Sequence, residues 1–499
     1  MMSKSPLLKR LISKDNDVPE PLFLRPPDGW IGDLIPFESE GDVQLFFLHD
    51  LRDDRRPGMS WGRYTTNDFA HFEFRGVSLE HGSLAEQDLN AYTGSIVESE
   101  GVIHLFYTGY NPAFPSRTGG AAQVVMHATS TDGMATWVKH PEHTFGAPLG
   151  YAPEDWRDPF VFRPDPNGPW RMLLAARRES GPARRSGLIA QAVSHDLLTW
   201  TLAEPFWAPN RYITHECPEV FKIGDWWYLV FSEFSDHFVT RYRMSRSPLG
   251  PWSVPEMDTI DGRAFYASKS AELRGERYFA GWIPTREGST DDGAWQWAGE
   301  LSVHQAVQRP DGTLQFRMPP ALHETFVESA APTFTPVLGE WRTAPRSLSV
   351  SVPDSYAVAI SPPAPAQFLL EVTIDIGPDT TECGVILRSS ADGDEGYIIR
   401  LEPRAGRLVF DRWPRRRTGE GQWQISGDIS HEIELERPVS IAPGSHTLRV
   451  LVDETACVAY LDDSVAMSAR MYDRSTGGVG LFVGEGQAAF TDVSITTRQ

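Results

Sequence analysis

The chain of 499 residues carries 46 Lys and Arg against 67 Asp and Glu, a net charge of −21, which argues against a nucleic-acid partner because phosphate backbones need clustered cations. Its 42 Gly, 39 Pro, 26 Phe and 16 Trp point to many turns between short aromatic-rich strands, hence to an all-β chain of two or more domains. Cys217, Cys383 and Cys457 make neither a disulfide framework nor a zinc spacing, and with no apolar leader or bilayer-length apolar run the expectation is a soluble, cytoplasmic protein away from membranes.

Residues 1–20 read as an N-terminal extension. Over 21–320 five apolar, aromatic-rich strands recur: VQLFFLHD (43–50), VIHLFYTGY (102–110), WRMLLAAR (170–177), WWYLVFSE (226–233) and RYFAGWIP (277–284). Each follows a Gly-containing tight turn. Four are succeeded by a polar strand pair ending in an aromatic, and the fifth continues as GELSVHQAVQRPDGTLQF. A four-strand unit repeated five times is the signature of a five-bladed β-propeller. A sandwich with irregular strands accounts for the strands but not for their recurring order. Residues 321–340 read as a Pro-containing connector, and 341–499 alternate as seven or more strands between polar turns, a C-terminal β-sandwich. The basic run RWPRRR (412–417) precedes acidic sequence and reads as a solvated loop.

Aligned on the turn glycine that ends the first strand of each blade, Asp33 stands eight residues before Gly41, Thr93 eight before Gly101 and Glu216 eight before Gly224. Ala267, beside Tyr266, stands eight before Gly275, and Asp158 stands ten before Gly168 in a turn that reads as two residues longer. First strands line the axis of a propeller, so Asp33, Asp158 and Glu216 are expected to converge at one end of the channel. Carboxylates brought together repel, and at least one is then held protonated near neutral pH. A protonated acid beside an ionised one is the machinery of glycoside cleavage. Three carboxylates also suit calcium, but no Asp-x-Asp-x-Asn-Gly loop surrounds these. Trp30, Trp61, Tyr92, Tyr266, Trp295 and Trp297 supply flat apolar faces for a sugar ring, although each alone serves equally as core packing.

The order of GWIGDLIPF, YTGS, DWRDPFVF, HECPEVF and FYASKS resembles glycoside hydrolase family 32, the invertase, inulinase and levanase family, with RDP (157–159) and EC (216–217) as its short motifs. The resemblance implies Asp33 as nucleophile, Glu216 as general acid/base, Asp158 as transition-state stabiliser, Arg157 near the sugar, and retention on β-linked fructofuranosides. Trp61 matches that family's Trp-Gly-His stretch, Tyr92–Thr93 its Phe-Ser pair, and Trp297–Ala298–Gly299 its late Trp-x-Gly. Three positions depart from the pattern. The family's Asn-Asp-Pro-Asn-Gly is here Gly32–Asp33–Leu34–Ile35–Pro36, its Gln-Tyr-Asn is Leu48–His49–Asp50, and its Trp before the acid/base motif is His215. The sugar-lining set is thus expected to be Trp30, His49, Asp50, Trp61, Tyr92, Thr93, Arg157, His215, Tyr266 and Trp297, with a pocket rewritten relative to sucrose and inulin enzymes.

The expected function is exo-hydrolysis of small fructose-containing sugars, with no cofactor and no metal. Two other classes share these residues: an inverting, family 43-like arabinofuranosidase or xylosidase, and a fructosyltransferase. A propeller that binds sugar without cleaving it is a further reading, opposed by the presence of all three carboxylates. The sandwich reads as a packing partner of the propeller rather than a glycan-binding module. The sequence leaves the oligomeric state open.

Overall fold

Alternating aromatic strands joined by Gly-containing turns, of two residues in four repeats and of eight (163–170) in the third, give each repeat its antiparallel form. In the turns Glu40–Gly41, Glu100–Gly101 and Arg274–Gly275 both residues have positive φ, between 53° and 85°, the twist-matched hairpin geometry that favours glycine at the second position. The computed structural model describes residues 20–52, 54, 57–415 and 433–498. Most of the expected N-terminal extension, and Arg416 and Arg417 of the basic run, lie outside the described residues.

The inner strands of the five blades are Trp30–Ser39, Asn90–Ser99, Tyr151–Phe162, Glu216–Ile223 and Tyr266–Leu273. Each packs against the next, and the fifth returns to the first, so the propeller closes into a ring. The closure is latched by strand pairing between Ile31 and Gly299 and by a bridge from Leu24 to Leu301. Blade four is the least regular. After Val239–Ser245 its outermost position holds only the bridges Met244–Ser253 and Arg241–Thr259, because Pro248, Pro251 and Pro255 remove ladder donors there.

The seven sandwich strands read from the sequence are all present between Phe368 and Gly484. Two long strands run through both layers. Gly478–Arg498 pairs with Glu382–Ser389 along its first half and with Phe368–Ile376 along its second, while Ser347–Pro363 accompanies most of its length. The expected connector is not free chain: Phe326–Ala330 pairs with the end of the last strand, and Thr335–Leu338 pairs with Ser347–Pro363. The basic run is not a solvated loop where it is described. Arg412 pairs with Asp292 at 2.5 Å and Arg415 pairs with Asp411, both largely buried. Acidic residues of the sandwich and of blade five supply the charges that hold those arginines inside.

Propeller and sandwich meet through buried polar contacts. His304 of blade five lies 3.0 Å from both Asp261 Oδ2 and Tyr460 Oη, and Ser468 Oγ donates to Asp261 at 2.7 Å. Arg470 donates to the carbonyls of Ile283 and Pro284 and pairs with Glu300 at 2.6 Å. Such groups remain buried only when satisfied, which fixes one relative placement of the two domains. Among the described residues no helix is long and apolar enough to cross a membrane.

Candidate active site

Every inner strand carries one extra residue opposite its partner at the same level. The bulges fall between Ile31 and Leu34, Tyr92 and Gly94, Arg157 and Phe160, Glu216 and Glu219, and Tyr266 and Lys269. A bulge breaks the alternation of the strand and re-aims its side chains. Asp158, Cys217 and Ala267 hold left-handed φ values of 56°, 49° and 49° at these bulges, conformations that cost about 1–3 kcal/mol each and persist where the surroundings enforce them.

The carboxylates use these bulges differently, which corrects the expectation of one shared register. Glu216 is the residue before its bulge, Asp158 the first residue within, and Asp33 the second. The common eight-residue spacing arises from two compensating offsets. Blade four's inner strand is one pair shorter beyond the bulge than blade one's, and Gly224 is the first residue of its turn whereas Gly41 is the second.

The three side chains nevertheless meet. Asp33 Oδ2 accepts from Thr93 Oγ1 at 2.6 Å and lies 3.7 Å from Cys217 Sγ, and its Oδ1 accepts from Trp282 Nε1 at 3.2 Å. Asp158 Oδ2 accepts the Cys217 N–H at 2.9 Å. Cys217 therefore touches both aspartates, one through its thiol and one through its backbone. Glu216 Oε1 accepts from Arg157 Nη2 at 3.0 Å and Oε2 from Tyr266 Oη at 2.6 Å. The Arg157 guanidinium also lies 2.7 Å from Asp155 and 3.9 Å from Asp158. Lys269 of blade five reaches across the axis to the Gly94 carbonyl of blade two at 2.9 Å.

Burial pushes the Asp33 carboxyl up to about 6, and the charges of Asp158 and Glu216 add to this against the donors Thr93 and Trp282. Glu216 is also raised, first by burial and then by Asp158, with Arg157 and Tyr266 opposing. Arg157 supplies positive charge beside Glu216 and Asp158, and donors occupy both oxygens of Asp33 and Glu216 and one of Asp158, so the arrangement suits proton chemistry rather than calcium. Glu216 keeps 20% of its side-chain surface exposed, so a ligand can reach it.

The residues expected to line the sugar divide into groups. Trp297 is 38% exposed and its indole lies over Gly32, where any Cβ would come within 2.4 Å of the ring. Tyr92 stacks on Tyr110 at 5.4 Å with its hydroxyl raised to about 12 by burial, then by Tyr110 and Asp33. Trp30 packs against the guanidinium groups of Arg25 and Arg52. Thr93 and Tyr266 are buried and hold Asp33 and Glu216, so they brace the carboxylates rather than line open space. Asp50 is taken by Arg52 at 2.6 Å, and the same guanidinium donates to Thr285, Gln296 and the Trp297 carbonyl. His49 is buried against Phe47 and Phe74, with its Nε2 3.0 Å from Asp28.

Two expectations fail. Trp61 is fully buried between blades one and two, with its Nε1 donating to the Ala91 carbonyl, because it falls on the core side of its strand. His215 is fully buried among Trp207, Tyr212 and Phe231, its pKa pulled down to about 3 by burial and then by Arg243 and Arg211. Neither faces the carboxylates. Trp282, Cys217, Thr108, Lys269 and Arg52 were missed as site residues. Cys217 lies inside HECPEVF, and the apolar run holding Trp282 carries no mark of which face its indole N–H takes.

Residues 23–319 match the Glycosyl hydrolases family 32 N-terminal domain and residues 343–497 match the Glycosyl hydrolases family 32 C terminal. A raffinose invertase of Escherichia coli is 25% identical over 508 residues, covering 97% of this chain and 96% of its own. A sucrose-6-phosphate hydrolase of Escherichia coli is 28% identical over 320 residues, covering 58% of this chain and 62% of its own. Among solved structures, the sucrose-6-phosphate hydrolase from Lactobacillus gasseri shares the fold at a TM-score of 0.73 and 17% identity, over 99% of this chain and 96% of that one. The fructan 1-exohydrolase IIa from Cichorium intybus does so at 0.72 and 16%, over 96% and 97%. The family 43-like reading is thereby set aside: the chain belongs to glycosyl hydrolase family 32, and is a glycoside hydrolase of the β-fructofuranosidase type.

Proposed function

We propose that this chain hydrolyses small β-linked fructofuranosides from their ends by double displacement, with Asp33 as nucleophile, Glu216 as acid and then base, and Asp158 as stabiliser of the oxocarbenium-like transition state. In the first step Asp33 forms a bond to the anomeric carbon while Glu216 gives its proton to the departing oxygen. In the second, Glu216 takes a proton from water, the hydroxide replaces Asp33, and fructose leaves with the configuration it had.

The observation that carries this assignment is the unequal bracing of the two carboxyls. Asp33 is held by neutral donors only, Thr93, Trp282 and the Cys217 thiol, so it gives up no ion pair on becoming a neutral ester. Glu216 instead shares Arg157 with Asp155 and Asp158. That guanidinium can shift toward the aspartates when Glu216 is protonated and return when it is ionised, which suits a group that cycles its proton. The raised pKa of both carboxyls is consistent with one proton held between them near neutral pH.

Several relatives carry names for enzymes of sucrose 6-phosphate and raffinose, which favours compact oligosaccharides over long polymers. Gly32, where the family pattern has Asn, is covered by Trp297, so an apolar indole face stands where an amide would meet sugar hydroxyls. Azide rescue tests the roles. With an activated aryl fructofuranoside, Glu216→Ala plus azide is expected to yield the β-fructosyl azide, and Asp33→Ala plus azide the α-anomer. The opposite pair of anomers would exchange the two roles. Rates on sucrose, its 6-phosphate, raffinose and inulin test the substrate class, with slow turnover expected for sucrose and inulin.

A further inference from the structure

Four histidines and a glutamate gather on the outer part of blade two, outside the site described above. His104 lies on the strand Val102–Pro115, His127 on Ala121–Ser130, and His140, Glu142 and His143 on the single 3-10 turn that follows Val138–Lys139. The ligand atoms of His140, Glu142 and His143 lie within 4.8 Å of one another. We propose that these three residues bind one divalent transition-metal ion of the zinc, nickel or copper kind, with His127 and His104 as the hydrogen-bonded support behind them.

His140 Nε2 lies 2.9 Å from Thr129 Oγ1, which leaves Nδ1 facing the Glu142 carboxylate at 3.3 Å. His143 Nδ1 lies 3.0 Å from His127 Nδ1, and His127 Nε2 lies 3.1 Å from His104 Nδ1. His140 and His143 thus each have one nitrogen fixed by a partner and the other left for an ion, the arrangement that orients metal-binding imidazoles. His127 is clamped further by stacking on Phe106 at 4.6 Å and on His104 at 5.2 Å, both at 5°.

The site is also preorganised. Pro141 opens the turn, the His143 N–H donates to the His140 carbonyl at 3.0 Å, and the His140 N–H donates to the His127 carbonyl at 2.8 Å. Two imidazoles and one carboxylate, with water completing the shell, match zinc-type coordination and not that of calcium or magnesium, which take oxygen ligands.

The test uses the tag-free full chain after treatment with a chelator. Calorimetric titration with zinc is expected to show one more bound equivalent in the wild type than in the His140→Ala/His143→Ala variant, and calcium should give no matching heat. Cobalt should give visible d–d absorption in the wild type that the variant lacks. Glu142→Gln, an exposed change that leaves the fold alone, is expected to weaken zinc roughly tenfold, and His127→Gln about 10–100-fold. If the double variant does not fold, these two decide. The proposal is overturned if the wild type takes up no zinc saturably, or if the folded variants titrate as the wild type does.

Discussion

Thr93 Oγ1 lies 2.6 Å from Asp33 Oδ2, and it reaches that carboxylate from the neighbouring blade. The same residue's carbonyl accepts from Thr108 Oγ1 at 3.0 Å, and Thr108 Oγ1 accepts the Asp158 N–H at 2.8 Å. Blade two contributes no carboxylate of its own to the triad, yet its two threonines set the spacing between the aspartates of blades one and three.

Thr93→Val keeps the shape and removes the donor. The Thr93 hydrogen bond lowers the Asp33 pKa, so its loss should move that pKa above about 6. Asp33 must be ionised to attack, and the acid limb of kcat/KM is therefore expected to move up by about one pH unit. Activity should fall roughly tenfold on the acid side and change little well above the limb. A pH–rate profile checks this, and an unshifted acid limb would separate Thr93 from Asp33.

Tyr266→Phe should act on the opposite limb. The Tyr266 hydroxyl donates to Glu216 at 2.6 Å and pulls its pKa down. Without it Glu216 keeps its proton to higher pH, so the alkaline limb is expected to move up. Because Tyr266 also stacks on Phe238 at 3.9 Å, the phenyl ring of the variant preserves the packing. A limb that moves down would contradict the role given to Glu216.

Asp33→Asn should stabilise the protein while abolishing turnover. Asp33 titrates at about 6 in the folded chain against an ordinary 3.8, so the folded state holds its proton more tightly than the unfolded chain does. Its ionisation therefore costs nothing at pH values below 3.8, an increasing amount as the pH rises to about 6, and a constant ~3 kcal/mol above that. The amide avoids this but presents an N–H₂ where one of the Asp33 donors now points. A net gain of ~1–2 kcal/mol at neutral pH, vanishing in acid, is expected from denaturant unfolding at a series of pH values.

Gly32→Ala should disturb the mouth of the site through Trp297, whose ring would lie 2.4 Å from the new methyl. KM is expected to rise while the limbs of the pH profile stay in place, and Trp297→Ala added to Gly32→Ala should restore part of the loss. Independent effects of the two changes would show that Gly32 and Trp297 do not share a contact.

The blades were readable because tight-turn glycines and aromatic strands act locally and repeat. Asp33 and Glu216 share a spacing that holds only by compensation, since bulges are set by how neighbouring blades pack and leave no mark at one position. Trp61 and His215 were misplaced for a related reason. A motif names the residue type, but one step along a strand moves a side chain from the channel to the core. Arg52, Trp282 and Thr108 act on the site across blade boundaries, at sequence separations that no local pattern reports.

Double displacement between Asp33 and Glu216 fixes the stereochemistry of transfer to methanol. With a reactive aryl β-fructofuranoside and added methanol, the stable product resolved by NMR is expected to be the methyl β-fructofuranoside, formed after two inversions at the anomeric carbon. The methyl α-fructofuranoside as first-formed product would contradict the account, because it requires a single displacement in which Asp33 never bonds to the sugar.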